Sequence, residues 1–292
     1  MKQNDCIMLP EYICDVILQP LESLGLRHSY YSVNDGFIPN WDELENLVDN
    51  QTKAILMQHF FGQPQDIAAF QSFCDHHGLL LIEDNAHGHG GAFNKKLLGS
   101  FGDMGISSPR KILNIHSGGV LWLRDLELKY IPNLQPYPAS LRQHVRKNII
   151  NLYPTMKYSI KKLFKNRPKY EDPRASREAI ISDYLIDKWS KEIIENTDWD
   201  ELRKIRQQSY FQWQDFAQKN ELIPVYKQLH PEANPWCFPA YAKDQQDTAR
   251  WFDWGWDNNV HVFSWPSLEE KVLAKKGESL NRWKRLICFG IS

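Results

Sequence analysis

The stretch LLLIEDNAHGHGGAF, residues 79–93, decides the fold. It opens with four apolar residues, which are typical of a strand buried on both faces of a parallel sheet. This strand runs directly into Glu83 and Asp84, and two histidines and three glycines follow within the same stretch. Ligands of parallel sheets bind at the carboxyl ends of the strands. Asp84 is therefore a better candidate for ligand contact than an acid on a helix surface.

Strand and helix patterns alternate along the first 125 residues. Strand patterns occupy residues 6–9, 27–33, 54–60, 79–84 and 120–123, and helix patterns occupy 16–25, 41–48 and 66–77. We expect Asn40 to cap the second of these helices and Gly78 to end the third. Such alternation predicts an α/β fold with a mainly parallel sheet and flanking helices.

The second half of the chain has a different pattern. Helix is predicted over residues 174–220, and a smaller α+β unit is predicted from strands at 237–242 and 260–263 and helices at 245–258 and 268–276, with Ser267 as the N-cap of the last helix. We accordingly divide the chain into a large domain over 1–135, a basic helical insert over 136–171, and long helices with a small C-terminal domain over 172–292.

Composition and charge limit the class of protein. Apolar residues make up 42% of the 292 residues and charged residues 24%, as in soluble globular chains. Membrane-spanning runs and a signal peptide are not evident in the sequence, and the five scattered cysteines suit a reducing compartment, so we expect a cytoplasmic protein.

Positive charge is concentrated in one segment. The chain has a net charge of −1, yet residues 140–170 hold nine Lys or Arg and no acid, so the remainder sums to −10. One interpretation is contact with an anionic ligand or a membrane surface, and the other is a solvated helical face, which is the usual role of a charge run. This uneven distribution indicates a local anionic partner and argues against nucleic-acid binding by the protein as a whole.

Three residues of the first half suggest one chemistry. Lys111 precedes a Gly-Gly step and a strand, and a lysine in a dry cleft can lose its proton and attack a carbonyl. Pyridoxal 5′-phosphate (PLP) needs both a lysine and a carboxylate, because the carboxylate keeps the pyridine nitrogen protonated. Asp84 and Lys111 would supply these two groups. His87 lies close to Asp84 in the sequence and is the third candidate.

The first half also resembles a known family. The blocks IMLP, NQTKAILMQHFFGQPQDIAAF, IEDNAHGHGGAF, LLGSFGDMG and RKILNIHSGG, in this order and at these intervals, resemble the DegT/DnrJ/StrS family of PLP-dependent sugar aminotransferases, which have the type I aminotransferase fold. The resemblance covers most of residues 6–123. It implies a homodimer that moves an amino group from glutamate to a keto-sugar linked to a nucleotide, in amino-sugar or cell-surface polysaccharide biosynthesis.

The resemblance also assigns roles to single residues. Asp84 matches the acid that pairs with the pyridine nitrogen, His87 matches the residue that contacts the phenolic oxygen, and Lys111 matches the Schiff-base lysine. Ser107 or Ser108 matches a phosphate-binding serine. Tyr12 is the nearest substitute for the aromatic residue that covers the cofactor ring.

Departures from the family pattern keep two alternatives open. The family has several dozen residues before the strand at residues 6–9, including a Gly-Thr motif that binds phosphate, and Asp172 stands where an asparagine is usual. These features favour a degenerate homologue that binds a sugar nucleotide or a partner protein without turnover. The other alternative is a metal-dependent hydrolase that uses Asp84, His87 and His89, although the leading hypothesis includes no metal.

Overall fold

The main feature of the fold is a mainly parallel sheet. The computed structural model describes residues 1–124, 134–138, 170 and 184–291. Within them, six strands form a sheet in the order β2-β1-β3-β4-β7-β8, and every neighbouring pair is parallel except β7 and β8. These strands are β1 (Cys6–Pro10), β2 (Arg27–Tyr31), β3 (Thr52–Gln58), β4 (Leu80–Asn85), β7 (Met104–Ser107) and β8 (Val120–Leu123). Two short strands between β4 and β7, β5 (Ala92–Phe93) and β6 (Lys96–Leu97), form a separate hairpin. The predicted α/β class is confirmed.

The second and third helices of the first half begin and end within one residue of the sequence prediction, whereas the first is shorter than the predicted 16–25. These helices are α1 (Leu18–Ser23), α2 (Trp41–Leu47) and α3 (Ile67–His77). The side chain of Asn40 accepts a hydrogen bond from the Glu43 N–H at the start of α2, and Asp66 caps α3 in the same way. Gly78 ends α3 in the left-handed conformation, at φ +64°.

The second half forms a separate sheet and further helices. The helices are α4 (Lys188–Glu195), α5 (Trp199–Lys219), α6 (Gln245–Asp257), α7 (Glu270–Lys275) and α8 (Glu278–Arg285). The strands are β9 (Gln135–Pro136), β10 (Tyr184–Leu185), β11 (Ile223–Pro224), β12 (Cys237–Tyr241), β13 (Val262–Phe263) and β14 (Leu286–Gly290), of which the last four form an antiparallel sheet in the order β11-β12-β14-β13. One buried hydrophobic cluster joins the two halves, since it contains side chains from β1 and β3 as well as from β12 and β14.

Several predictions for the second half are wrong in detail. The predicted helix over 174–220 is interrupted, because residues 184–185 form a strand and the chain leaves helix again between α4 and α5. Ser267 does not cap α7; Glu269 stands at that position, and the Ser267 hydroxyl donates to the Asp15 carboxylate instead. The strand β14 and the helix α8 were not predicted.

Two sequence predictions lie outside the described residues. They are the basic insert, apart from its ends, and the position of Asp172. The domain boundaries at 135 and 171 stay predictions. In the part of the chain that the structure describes, no helix combines the length and the apolar character needed to cross a membrane.

The two acids at the end of β4 face opposite sides of the sheet. Glu83 is fully buried, and its carboxylate accepts hydrogen bonds from the backbone N–H groups of Gly99 (2.5 Å), Phe101 (2.6 Å) and Gly102 (3.1 Å). It also accepts a bond of 2.8 Å from Nε2 of His59, whose Nδ1 accepts from the Gln65 N–H and therefore carries no proton. Glu83 thus holds the turn over residues 99–102 against β4, and His59 is a satisfied core histidine.

We predict that Gly105→Ala unfolds or severely destabilises the protein. Gly105 pairs with Glu83 across β4 and β7, and a Cβ at this position would lie 1.6 Å from the Gly99 carbonyl oxygen. The backbone of the turn has to move, so we expect a loss of about 3 kcal/mol or more in the free energy of unfolding. Gly277→Ala is the matched control, because a Cβ there meets nothing within 4 Å. Equal urea midpoints for the two variants would contradict the close approach.

We predict a pH-dependent loss of stability for Glu83→Gln. Burial by itself raises the pKa of Glu83, but the hydrogen bonds from His59 and from the Gly99 and Phe101 amides outweigh it, so the pKa is lowered below its ordinary value. A lowered folded-state pKa stabilises the fold above the ordinary pKa, and this contribution is lost as the pH falls through the folded-state value. We expect a loss of about 2–3 kcal/mol at pH 7 in urea unfolding, since charge-assisted bonds are lost and buried donors remain.

The pH series supplies the test of this prediction. The stability difference between wild type and Glu83→Gln should shrink as the pH falls below about 4. Glu45→Gln is the control, because the Glu45 side chain is exposed and pairs with His77 at the surface. That variant should lie within about 0.5 kcal/mol of wild type. A Glu83→Gln deficit that is the same at every pH would rule out the ionised carboxylate as its cause.

Candidate active site

Asp84 lies at the carboxyl end of β4 with few hydrogen-bond donors around it. One carboxylate oxygen accepts from the Ala86 N–H at 2.8 Å, and the other accepts a long bond of 3.3 Å from Nε2 of Gln58, its partner on β3. Burial raises the pKa of Asp84 above its ordinary value, while the Ala86 N–H, the Lys111 charge and His59 act in the opposite direction. A cationic N–H donor in contact with this carboxylate would stabilise its ionised form.

His87 lies beside Asp84 in a fixed tautomer. Its Nδ1 accepts a hydrogen bond of 3.1 Å from the Phe61 N–H, so the proton of the neutral ring is on Nε2. Burial, with a smaller effect of Lys111, lowers the pKa of His87 well below its ordinary value and keeps the ring neutral. Its Nε2 is buried and has no hydrogen-bond partner among the described residues. His87 is therefore a donor without an acceptor.

Phe61, whose N–H donates to His87 Nδ1, has an unusual backbone conformation. Its φ of 55° is in the left-handed region, which is rare for a bulky side chain, and Gly62 follows at φ +91°. A Cβ at Gly62 would lie 2.5 Å from the Asn234 carbonyl oxygen and 2.9 Å from that of His87. The chain before β12 therefore approaches the site closely only because residue 62 is glycine.

Lys111 ends a short 3₁₀ turn, Pro109–Lys111, that follows β7. Its Nζ lies 4.5 Å from the ring centroid of Trp236, and its charge acts on Asp84, His87 and Cys237. The structure thus brings together Asp84, His87 and Lys111, the three residues that carried the sequence hypothesis. An acid, a neutral donor and an amine converge at one edge of the sheet.

The two candidate phosphate-binding serines have different surroundings. Ser107 is buried, and its hydroxyl is bonded to Nδ1 of His89 at 2.6 Å. Burial lowers the pKa of His89 to about 4, so that ring is neutral at pH 7. Ser108 is half-buried at the start of the 3₁₀ turn, and its side chain makes no capping bond to the turn.

Tyr12 does not have the position that its predicted role requires. It is fully buried, its hydroxyl donates to the Trp265 carbonyl at 2.6 Å, and its ring packs on Phe37 and Trp265. Trp265 in turn contacts His87, with ring centroids 4.6 Å apart. Trp265 therefore separates Tyr12 from the site, and this geometry does not support Tyr12 as the cover of a cofactor ring.

The metal-site alternative finds no support in the described part of the chain. No group of three or more His, Cys, Asp or Glu side chains there is placed to hold an ion. His87 and His89 each use Nδ1 in a bond to a protein group, Phe61 N–H in one case and Ser107 in the other.

The aromatic residues of the site were not predicted from the sequence. Phe61, Trp236 and Trp265 surround His87, with ring centroids 5.7, 4.5 and 4.6 Å from it. Two of them come from the C-terminal half, where no spacing or motif connects them to Asp84. Gln58 was also missed, although its place at the end of a strand next to β4 was the signal that could have found it.

Comparison with known proteins identifies a family whose model matches part of this chain. Residues 18–158 match the model of the DegT/DnrJ/EryC1/StrS aminotransferase family. The chain is 30% identical over 130 residues to dTDP-4-dehydro-2,3,6-trideoxy-D-glucose 4-aminotransferase of Saccharopolyspora spinosa, a match that covers 44% of this chain and 34% of that protein. It is 37% identical over 122 residues to GDP-perosamine synthase of Vibrio cholerae, covering 41% and 33% of the two chains. The matches thus span about a third of the length of these relatives.

Solved structures extend the likeness to the whole fold. The structure of Escherichia coli GDP-4-keto-6-deoxy-D-mannose-3-dehydratase with bound hydrated PLP superposes with a TM-score of 0.66 at 16% identity, covering all of this chain and 76% of that one. This likeness supports the type I aminotransferase architecture for both halves. The resemblance seen in the sequence is confirmed, since residues 18–158 match the model of the DegT/DnrJ/EryC1/StrS aminotransferase family.

Proposed function

We propose that this protein is a PLP-dependent aminotransferase acting on a keto-sugar linked to a nucleotide, with glutamate as the amino donor. The convergence of Asp84, His87 and Lys111 carries the proposal, because one cofactor matches all three groups. Asp84 is a buried carboxyl with a raised pKa, the buried Nε2–H of His87 has no acceptor among the described residues, and the charge of Lys111 acts on both.

The residues fit the cofactor group by group. Asp84 would hold the pyridine nitrogen, His87 Nε2 would donate to the phenolic oxygen, and Lys111 would bind the aldehyde carbon. Ser108, or Ser107 after a change in its bond to His89, would donate to the phosphate. When bound, PLP supplies an electron sink that labilises a proton at the substrate carbon.

Each of these three residues would have a defined role. Asp84 would keep a proton on the ring nitrogen, since an anion in contact favours the protonated form. Lys111 would take up and return the proton of the substrate carbon as a general acid and base. His87 is neutral, so its single N–H would stabilise negative charge on the phenolic oxygen without competing for a proton.

The substrate class is inferred from the relatives. The proteins from S. spinosa and V. cholerae are named for a dTDP-sugar and for GDP-perosamine, and another relative is the UDP-N-acetyl-3-dehydro-α-D-glucosamine 3-aminotransferase of Acidithiobacillus ferrooxidans. The nucleotides differ while the sugar-nucleotide character is shared. We therefore propose a nucleotide-linked keto-sugar in amino-sugar or polysaccharide biosynthesis, a cytoplasmic location and a homodimer.

The degenerate-homologue alternative remains the second candidate. It is favoured by Asp172, which stands where the family has an asparagine. The intact Asp84, His87 and Lys111 cluster opposes it, because binding without turnover needs no amine at this position.

We predict that added PLP attaches covalently to Lys111. Its amine is held within the charged and aromatic cluster of the site, whereas surface lysines are solvated. Borohydride reduction followed by peptide mapping should place the label on Lys111, and Lys111→Met should remove it. Lys243, which is exposed, is the matched control, since Lys243→Met should leave the labelling unchanged. A label found only on other lysines would reject the assignment.

We predict that Asp84→Asn preserves the fold and nearly abolishes transamination. A neutral amide does not hold the ring nitrogen protonated, so we expect a loss of about 10²–10⁴-fold in kcat, the range of a positioned proton-holding group. Asp84 is also a buried carboxyl with a raised pKa, so its replacement should not lower the urea midpoint. Half-transamination with glutamate, followed by absorbance, measures the rate. Activity near wild type would remove Asp84 from the mechanism.

A further inference from the structure

The candidate site has an aromatic wall from the C-terminal half. The His87 ring is stacked against Phe61, with an angle of 26° between the planes, and against Trp236, with an angle of 32°, while Trp265 meets it edge-on at 79°. Trp236 also packs on Phe263 at a centroid distance of 5.0 Å. Within the described residues, this indole contacts both His87 and Lys111, with ring centroids 4.5 Å apart for His87 and Nζ of Lys111 4.5 Å from the indole centroid.

The backbone of Trp236 is held firmly on both sides. Its N–H donates to the Phe61 carbonyl at 3.0 Å, and its carbonyl accepts from Nη2 of Arg206 at 2.9 Å. Arg206 lies on α5, is 3% exposed, and also donates from Nε to the Pro235 carbonyl at 3.0 Å. Burial lowers the pKa of Arg206 only to about 10, so it is charged at pH 7. The indole is therefore anchored at a fixed place rather than lying loosely over the site.

The contact with Lys111 has an electrostatic basis. An ammonium within about 6 Å of an indole centroid is attracted by the ring, more strongly where water is partly excluded. Trp236 is half-buried, so its face offers Lys111 a defined resting position beside His87. A long flexible lysine gains most from such a contact, because the side chain otherwise samples many rotamers.

We propose that Trp236 is a positioning residue of this site. It orients the Lys111 amine, and its indole forms the wall against which the planar ring of the cofactor packs. This inference rests on the proposed function, since it assumes that Lys111 and His87 contact one pyridine ring. Trp236 takes the place expected for Tyr12, which is buried behind Trp265.

The test separates packing from covalent attachment by means of pyridoxine 5′-phosphate, an alcohol that cannot bond to Lys111. Trp236→Leu should weaken its binding about 5- to 10-fold, because aromatic contact and apolar burial are lost. Trp236→Phe should restore most of the affinity, since a ring returns. Lys111→Met should have a smaller effect than Trp236→Leu on this ligand. Binding is measured by isothermal titration on the full chain.

A second readout follows Lys111 itself. With saturating PLP and cyanoborohydride, the rate of label on Lys111 should fall several-fold in Trp236→Leu and recover in Trp236→Phe. Trp41→Leu is the matched control, because that half-buried indole packs on Phe70 and Phe73 and should leave both readouts unchanged. Urea midpoints of all variants separate lost binding from lost structure.

The outcomes are distinguishable. Wild-type chain that binds PLP, together with Trp236→Leu that binds pyridoxine 5′-phosphate equally well and labels at the same rate, would overturn this inference alone. Wild-type chain that binds neither ligand would overturn the proposed function and this inference together. A loss of binding in Trp236→Leu and Trp236→Phe alike, with both midpoints unchanged, would contradict the role of a ring as the wall.

Discussion

The hydrogen bonds to the buried carboxylate of Glu83 are the constraint on which the site depends. An ionised acid without exposure to water is costly unless its lone pairs are filled. Here three backbone amides and His59 fill them, and they come from two different segments, the turn over 99–102 and the loop after β3. One carboxylate therefore holds both loops that flank the end of β4. Asp84 is the next residue, so its position follows from theirs.

Asp84, the adjacent acid, has the opposite environment. Glu83 has a full set of donors and a lowered pKa, whereas Asp84 has one short bond and a raised pKa. Alternation along a strand sends the two side chains to opposite faces, which allows neighbouring residues to have such different environments. The first acid stabilises the fold, and the second keeps unused hydrogen-bonding capacity. Perturbed titration of this kind is frequent at functional sites, because binding a ligand supplies the missing partner.

The part of the fold and site that the sequence predicts is the part encoded locally. Strand and helix periodicity identified most of the parallel sheet, and the caps at Asn40 and Gly78 followed from short-range signals in the sequence. Asp84, His87 and Lys111 were found because two of them follow one strand and the third precedes a recognisable Gly-Gly step. The strand β14 was missed since LICFG is only five residues long and is central to a sheet whose other strands are also short. Ser267 resembled a helix cap, but its hydroxyl bonds to Asp15, more than 250 positions away in the sequence.

Trp236 shows why the remainder of the site cannot be predicted from the sequence. Its contact with the first half requires a glycine at position 62, which leaves room for the backbone before β12. It also requires Arg206 of α5, which donates to the carbonyls of Pro235 and Trp236. Arg206 has no carboxylate partner within the described part of the chain, and the desolvation cost of its buried guanidinium is offset in part by its bonds to carbonyl groups. Such a group is conspicuous in the structure but looks like an ordinary helical arginine in the sequence. The aromatic wall therefore depends on how α5 and β12 pack, and changes in that packing act on Lys111 and His87 through Trp236.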